Sequence, residues 1–264
     1  MKPWLKIALI SLSSIVLVML LAFMYKAQNE TVLALPKIII HVEGESSFLT
    51  ETELVERLQR EKLIYPGQTF KNLNIHSVER FIEAMPEVKD VKAYSKIGAN
   101  WSIDVELRVP IARIFNQYGE TYYLDREGHT MHPSSAHTAR VVVVNGFIPD
   151  KLNSPPVAEI INNDSLKSIR KLDDVYRISN YVCNDPFLRA QIAQIHLRKN
   201  GEFVMTPQVG GHIIVFGTAY TDKEVSEKFD KLKVFYKHGL PYEGWNKYSE
   251  IVLKYENQIV GKKK

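Results

Sequence analysis

Trp101-Ser102-Ile103-Asp104-Val105-Glu106-Leu107-Arg108 alternates without interruption, with Trp101, Ile103, Val105 and Leu107 on one face and the four polar residues on the other. A side-chain period of two held over eight residues specifies a β-strand with one buried and one wet face. Trp101 is then expected in a core. Upstream, the turn Gly98-Ala99-Asn100 joins this strand to another around Val88–Ser95. Before that, Ile75, Val78, Ile82 and Met85 share one helical face, and Pro86 stops the helix. Thr50 stands three residues before Glu53, a capping box that opens a helix carrying Leu54, Val55 and Leu58. Ile38, Ile40 and Val42 alternate with Ile39, His41 and Glu43 in a strand that ends at Gly44. The order is strand, helix, helix, strand, strand. Residues 37–108 are therefore read as a compact α+β module whose helices put Leu58 and Ile82 against Trp101.

Beyond Val109-Pro110 the texture changes to short strands and turns. Strands are expected at Ala112–Asn116, Thr121–Leu124 and Val141–Val144, with turns at Asp125-Arg126-Glu127-Gly128 and Asn145-Gly146. Leu166, Ile169, Leu172, Val175 and Tyr176 recur at three and four and predict one helix, with Asp173-Asp174 on its solvated face. Strands return at Ile192–Arg198, Phe203–Thr206 and His212–Phe216. Thr221 and Glu224 form a second capping box ahead of a helix through Tyr236. One closing strand is expected from Glu250 to about Val260, followed by a basic tail, residues 261–264. The second domain, residues 109–260, is thus a mixed β domain with packed helices.

At the other end, Ile7–Tyr25 is a run of nineteen uncharged residues. That is close to what the hydrocarbon core of a bilayer, about 30 Å thick, requires of a helix. The reading preferred is a transmembrane anchor, with residues 1–6 as a short cytoplasmic tail and 26–36 as a linker. A secretory signal peptide is the rival; its nearest cleavage candidate, Val32-Leu33-Ala34, lies well downstream of the run. A buried core helix would be shorter. Lys2 and Lys6 precede the run and Lys26 follows it, so the excess of positive charge puts the N-terminus in the cytoplasm and the bulk of the chain outside.

The charge balance is close, a net +4, and no basic stripe interleaves with aromatics, so nucleic acid is not an expected partner. A lone cysteine, Cys183, excludes an internal disulfide and is expected to be a small buried hydrophobe. There is no Gly-x-Ser-x-Gly elbow, no His-Glu-x-x-His helix and no Gly-rich phosphate loop. His129, His132 and His137 cluster in sequence at a spacing that fits no standard metal site, and are read as incidental loop histidines. No catalytic residues, metal, cofactor or small-molecule substrate are assigned. A membrane-tethered enzyme using these histidines remains a rival.

Several strings occur in a telling order: Met85-Pro86-Glu87-Val88-Lys89-Asp90-Val91, then Trp101, then Leu107-Arg108-Val109-Pro110-Ile111-Ala112, then Tyr123-Leu124-Asp125-Arg126-Glu127-Gly128, then Val144-Asn145-Gly146, and finally Tyr248-Ser249-Glu250-Ile251-Val252-Leu253-Lys254-Tyr255. This succession resembles the bacterial cell division family FtsQ/DivIB, in which a single anchor precedes a POTRA module and a β domain. Leu107 stands where that family commonly has Glu, and Lys254 where it has Arg.

The resemblance implies a non-enzymatic, single-pass scaffold of the inner (cytoplasmic) membrane at the division septum, its bulk periplasmic. Its partners would be FtsB- and FtsL-like bitopic proteins and the septal peptidoglycan synthase complex. It also implies partner contact through the last strand, at Lys254, Tyr255, Glu256, Asn257, Gln258, Ile259 and Val260. The physical basis would be β-augmentation, in which an extended partner segment pairs with a free strand edge. Tyr255 is the expected anchor; its other reading is completion of the β-domain core. The rival from a different class is a POTRA-containing envelope protein of outer-membrane protein transport, which would usually show repeated POTRA units or a barrel of alternating strands.

Overall fold

The computed structural model describes residues 3–42, 48–96, 100–134 and 137–264. The expected strand end at Gly44 and the first two residues of the turn Gly98-Ala99-Asn100 lie outside them. The chain divides into two compact units, one formed by residues up to Val42 with Leu49–Leu107, the other by Phe48 with Arg108–Lys264.

In the first unit, helix α1 (Pro3–Glu30) leads to strand β1 (Lys37–His41). Then come helices α2 (Glu51–Arg60) and α3 (Ile75–Glu83) and strands β2 (Val88–Ser95) and β3 (Trp101–Leu107). This is the expected order of elements. The capping box holds, because Thr50 Oγ1 accepts from the Glu53 amide at 3.2 Å. The alternating strand β3 is central, parallel to β1 and antiparallel to β2. Its apolar face, Trp101, Ile103, Val105 and Leu107, joins Leu58 of α2 and Ile82 of α3 in one core.

Two local expectations are corrected. Ser102, assigned to the wet face, is buried, being a small side chain flanked by Lys37 of β1 and Tyr94 of β2 on the neighbouring strands. The linker is also shorter and tighter than expected. α1 continues through Ala27 to Glu30, after which Leu33 donates to the Gln68 carbonyl, and Trp101 Nε1 donates to the Ala34 carbonyl at 3.1 Å. Among the described residues no helix is long and apolar enough to cross a membrane. Side chains 5–10, where the apolar run begins, lie outside the described set.

The second unit is built on one nine-stranded mixed sheet. Its strands are β4 (Pro110–Phe115), β5 (Thr121–Asp125), β6 (Thr130–Met131), β7 (Val142–Gly146), β8 (Ile192–Leu197), β9 (Phe203–Pro207), β10 (Ile213–Gly217), β11 (Tyr248–Val252) and β12 (Val260–Lys263). Across the sheet they run β12-β11-β10-β9-β8-β7-β4-β5-β6, with β4, β7 and β8 mutually parallel. Helices α4 (Val157–Ile161), α5 (Asp164–Ile169), α6 (Leu172–Asn184), α7 (Pro186–Gln191), α8 (Asp222–Val234) and α9 (Leu240–Glu243) complete the unit. One core joins apolar residues of the sheet to those of α4, α6, α7, α8 and α9.

The single helix expected through Leu166–Tyr176 is two, α5 and α6. Arg170 is extended (φ −93°, ψ 159°), breaking the periodicity, and Ile169 is left 65% exposed. The pair Asp173-Asp174 is not solvated either. Both are buried and ion-paired to Arg177 at 3.0 Å. Burial, reinforced by the neighbouring Asp173, pushes the Asp174 carboxyl up to about 6.

Candidate interaction surface at the C-terminal edge

The motif residues have structural reasons for their positions. Arg108 Nη1 reaches Asp125 Oδ2 at 2.8 Å, so the strings Arg108-Val109-Pro110-Ile111-Ala112 and Leu124-Asp125-Arg126-Glu127-Gly128 are tied together by one ion pair. Asp125 is fully buried, and its other oxygen accepts from the His129 amide at 2.6 Å. Gly128 sits at φ +82°, where an added Cβ would come within 2.7 Å of Val157 Cβ. Glycine alone suits both demands. His129, His132 and His137 are not gathered: His129 faces Asp125, and His137 meets the ring of Phe48 edge-on. Among the described residues no three His, Cys, Asp or Glu side chains group to hold a metal.

The closing segment differs from the expected single strand. β11 ends at Val252, and Leu253 is buried with its amide on the Val215 carbonyl. Residues 254–259 then form a turn in which Asn257 takes φ +55°, a left-handed conformation that a strand cannot continue through. The chain reverses and β12 pairs antiparallel to β11, Ile251 opposite Gly261 and Val252 opposite Val260. The residues expected as a basic tail are thus most of an edge strand.

Of the seven residues assigned to partner contact, only Val260 lies on that edge. Lys254, Tyr255, Glu256, Asn257, Gln258 and Ile259 form the connection. Tyr255 is 45% exposed, which removes the reading in which it fills the core. Its carbonyl is already occupied, accepting from Lys231 Nζ at 2.6 Å. Lys254 pairs with Glu202 at 3.2 Å, and Gly217 lies so close beneath it that an added Cβ would approach Lys254 Cβ to 2.9 Å.

The connection and α8 flank an open groove of about 1250 Å³. A single π-helical turn, Phe235–Gly239, extends α8, and its Phe235, His238 and Gly239 line the groove. Such single π-turns are frequent at functional sites. The second capping box anchors the other end of α8: Thr221 Oγ1 accepts from the Glu224 amide, and the Glu224 carboxylate accepts from the Tyr220 amide. Burial works to raise the Glu224 carboxyl, but hydrogen bonds from Lys228 and Thr218 prevail and hold it below its ordinary value.

Beside the groove, all four residues of β12 are exposed and the strand has no neighbour on its outer side among the described residues. Lys262 and Lys263 keep it charged; Lys262 reaches back to Glu250 at 3.8 Å. Gly261 lies under the ring of Tyr248, where an added Cβ would come within 2.5 Å. Gly261, Lys262 and Lys263 escaped the reading of the sequence because Val260 was taken as the end of the strand. The signal that could have found them is Asn257 in a polar run between two apolar pairs.

Residues 109–262 match the family model described as FtsQ/DivIB, C-terminal related. The chain belongs to that family. Residues 36–106 match a POTRA-like domain, in agreement with the β-α-α-β-β order of the first unit. A search of curated proteins finds no matching relative. FtsQ/DivIB is a family of non-enzymatic cell division scaffolds, and the match over the second unit does not favour the outer-membrane transport reading.

Proposed function

We propose that this chain is a membrane-anchored scaffold of the division septum that takes up an extended segment of a small bitopic protein on its β12 edge. The observation that carries this reading is the open outer side of β12 in a family of division scaffolds. Main-chain hydrogen bonds supply most of the contact in strand addition, while alternate side chains set register and specificity. Lys262, Lys263 and the adjacent Lys264 favour an acidic partner strand. The groove between α8 and residues 254–259 would receive the part of the partner that continues beyond the strand, with Tyr255 at its rim. FtsB- and FtsL-like proteins are the partners proposed, and through them the septal peptidoglycan synthase complex.

The anchor belongs to the same proposal. Ile7–Tyr25 lies within a continuous helix, and nineteen residues of helix span roughly 28 Å at 1.5 Å per residue, close to the thickness of a bilayer core. The charge asymmetry favours an N-terminus in the cytoplasm and both units in the periplasm. A reporter fused after Lys264 should be active only outside the cytoplasm. Recovery of a soluble chain beginning near Leu35 would instead show a cleaved signal.

The binding reading is tested by affinity purification of the tagged full chain from dividing cells of its native host. Small bitopic division proteins should co-purify with the intact chain and be lost when Val260–Lys264 is removed. Undiminished recovery with the truncated chain would place the contact elsewhere.

A further inference from the structure

At the opposite end of the strands from their Gly-marked turns, the second unit contains a recess of about 280 Å³. Its floor is aliphatic, formed by the buried side chains of Ile111 (β4), Val142 (β7), Val182 (α6) and Ile192 (β8). Its only charged lining residues are Arg140 and Arg189. Both are exposed, unlike the more deeply placed Arg108 and Arg177, which are neutralised by Asp125 and by Asp173 with Asp174. Neither Arg140 nor Arg189 has a side-chain partner among the described residues. Two guanidinium groups beside an apolar floor offer an anion charged donors that no ion pair has to be broken to free. Arginine presents a planar fork of donors that fits a carboxylate in bidentate fashion.

We propose that this recess binds the carboxylate of a peptide segment carrying a small aliphatic side chain. The guanidinium groups hold the carboxylate, the floor takes the side chain, and the Gln208 side chain stands at the margin, its backbone N–H already donated to the Gln191 carbonyl. An inorganic anion would leave the floor unused, and ligand sites commonly combine such an apolar lining with a few convergent polar groups. The site is separate from the β12 edge and does not depend on it.

Cys183 makes the proposal testable. Expected to be buried, it is instead half-exposed, lines the recess and is the only thiol in the chain. Its alkylation by iodoacetamide can be followed in the full chain with three probes: acetyl-Ala-Val with a free carboxylate, the same peptide amidated, and inorganic phosphate. The free carboxylate at about nine times its Kd should slow alkylation about tenfold, the factor 1 + [L]/Kd that occupancy requires, whereas the amide and phosphate should leave the rate nearly unchanged. Arg140→Gln with Arg189→Gln should abolish the protection without lowering the thermal midpoint or changing the rate in the absence of probe. Calorimetric titration of the same probes gives a readout independent of the thiol. Equal protection by the amide or by phosphate, protection that survives in the double variant, or neither heat nor protection at millimolar carboxylate probe would each overturn the proposal.

Discussion

The nine-stranded sheet ends in two edges that are treated in opposite ways. At one end β6 is only two residues long, and Met131 is fully buried in a cluster with Phe48, Tyr123 and Ala139. Phe48 meets the Tyr123 ring edge-on at 5.1 Å, and Thr130 Oγ1 donates to the Leu152 carbonyl. At the other end β12 is longer, wholly exposed, and marked by lysines rather than apolar cover. Short strands, covering elements and edge lysines are all ways of preventing uncontrolled strand pairing. The first edge is closed by packing. The second is left open among the described residues and guarded only by charge, which is why the proposed partner strand is placed there.

The contrast makes the two edges separable by mutation: changes at the closed edge should lower stability and spare partner capture, while changes at the open edge should do the reverse. Phe48→Ala should have the largest effect, about 3–5 kcal/mol of unfolding free energy for loss of a buried aromatic, read by denaturant titration. Partner capture by the variant that remains folded should be normal. Arg108→Ala follows at about 3 kcal/mol, because it leaves the fully buried Asp125 without its cation. Restored stability in Arg108→Ala/Asp125→Asn would confirm that the cost is an uncompensated charge.

Smaller effects fall at the open edge. Tyr248→Ala uncovers Gly261 and removes a cross-strand contact, and should cost about 1 kcal/mol while weakening partner capture more than it weakens the fold. Lys262→Glu with Lys263→Glu should move stability by less than about 0.5 kcal/mol, as surface substitutions usually do, yet slow association with an acidic partner. A double reversal that leaves the association rate unchanged at low salt would mean that the lysines play no part in selection.

How much of this was legible in the sequence depends on whether a signal is local. Strand β3, both capping boxes and the order of the first unit could be read directly, because period-two alternation and side-chain-to-amide caps are decided within a few residues. Long-range arrangements could not. Ser102 is buried by its neighbours in β1 and β2, Asp173 and Asp174 are buried by packing around Arg177, and the closed edge depends on Phe48, far from β6 in the chain. The C-terminal hairpin was not legible: Asn257 was read through as strand, so six of the seven residues assigned to partner contact lie on a turn rather than on the edge strand beyond it. The recess at Cys183 gave no sequence signal, because Arg140, just before β7, and Arg189, in α7 just before β8, come to line one recess only where β7 and β8 pair in parallel.

The most direct measurement is amide hydrogen exchange along β12 in the full chain, alone and with its co-purified bitopic partner. Strand addition predicts that amides within Val260–Lys263 exchange readily in the free protein and gain protection in the complex, while those of β6 do not change. Protection confined to another surface, with Val260–Lys263 exchanging as freely as before, would contradict the account.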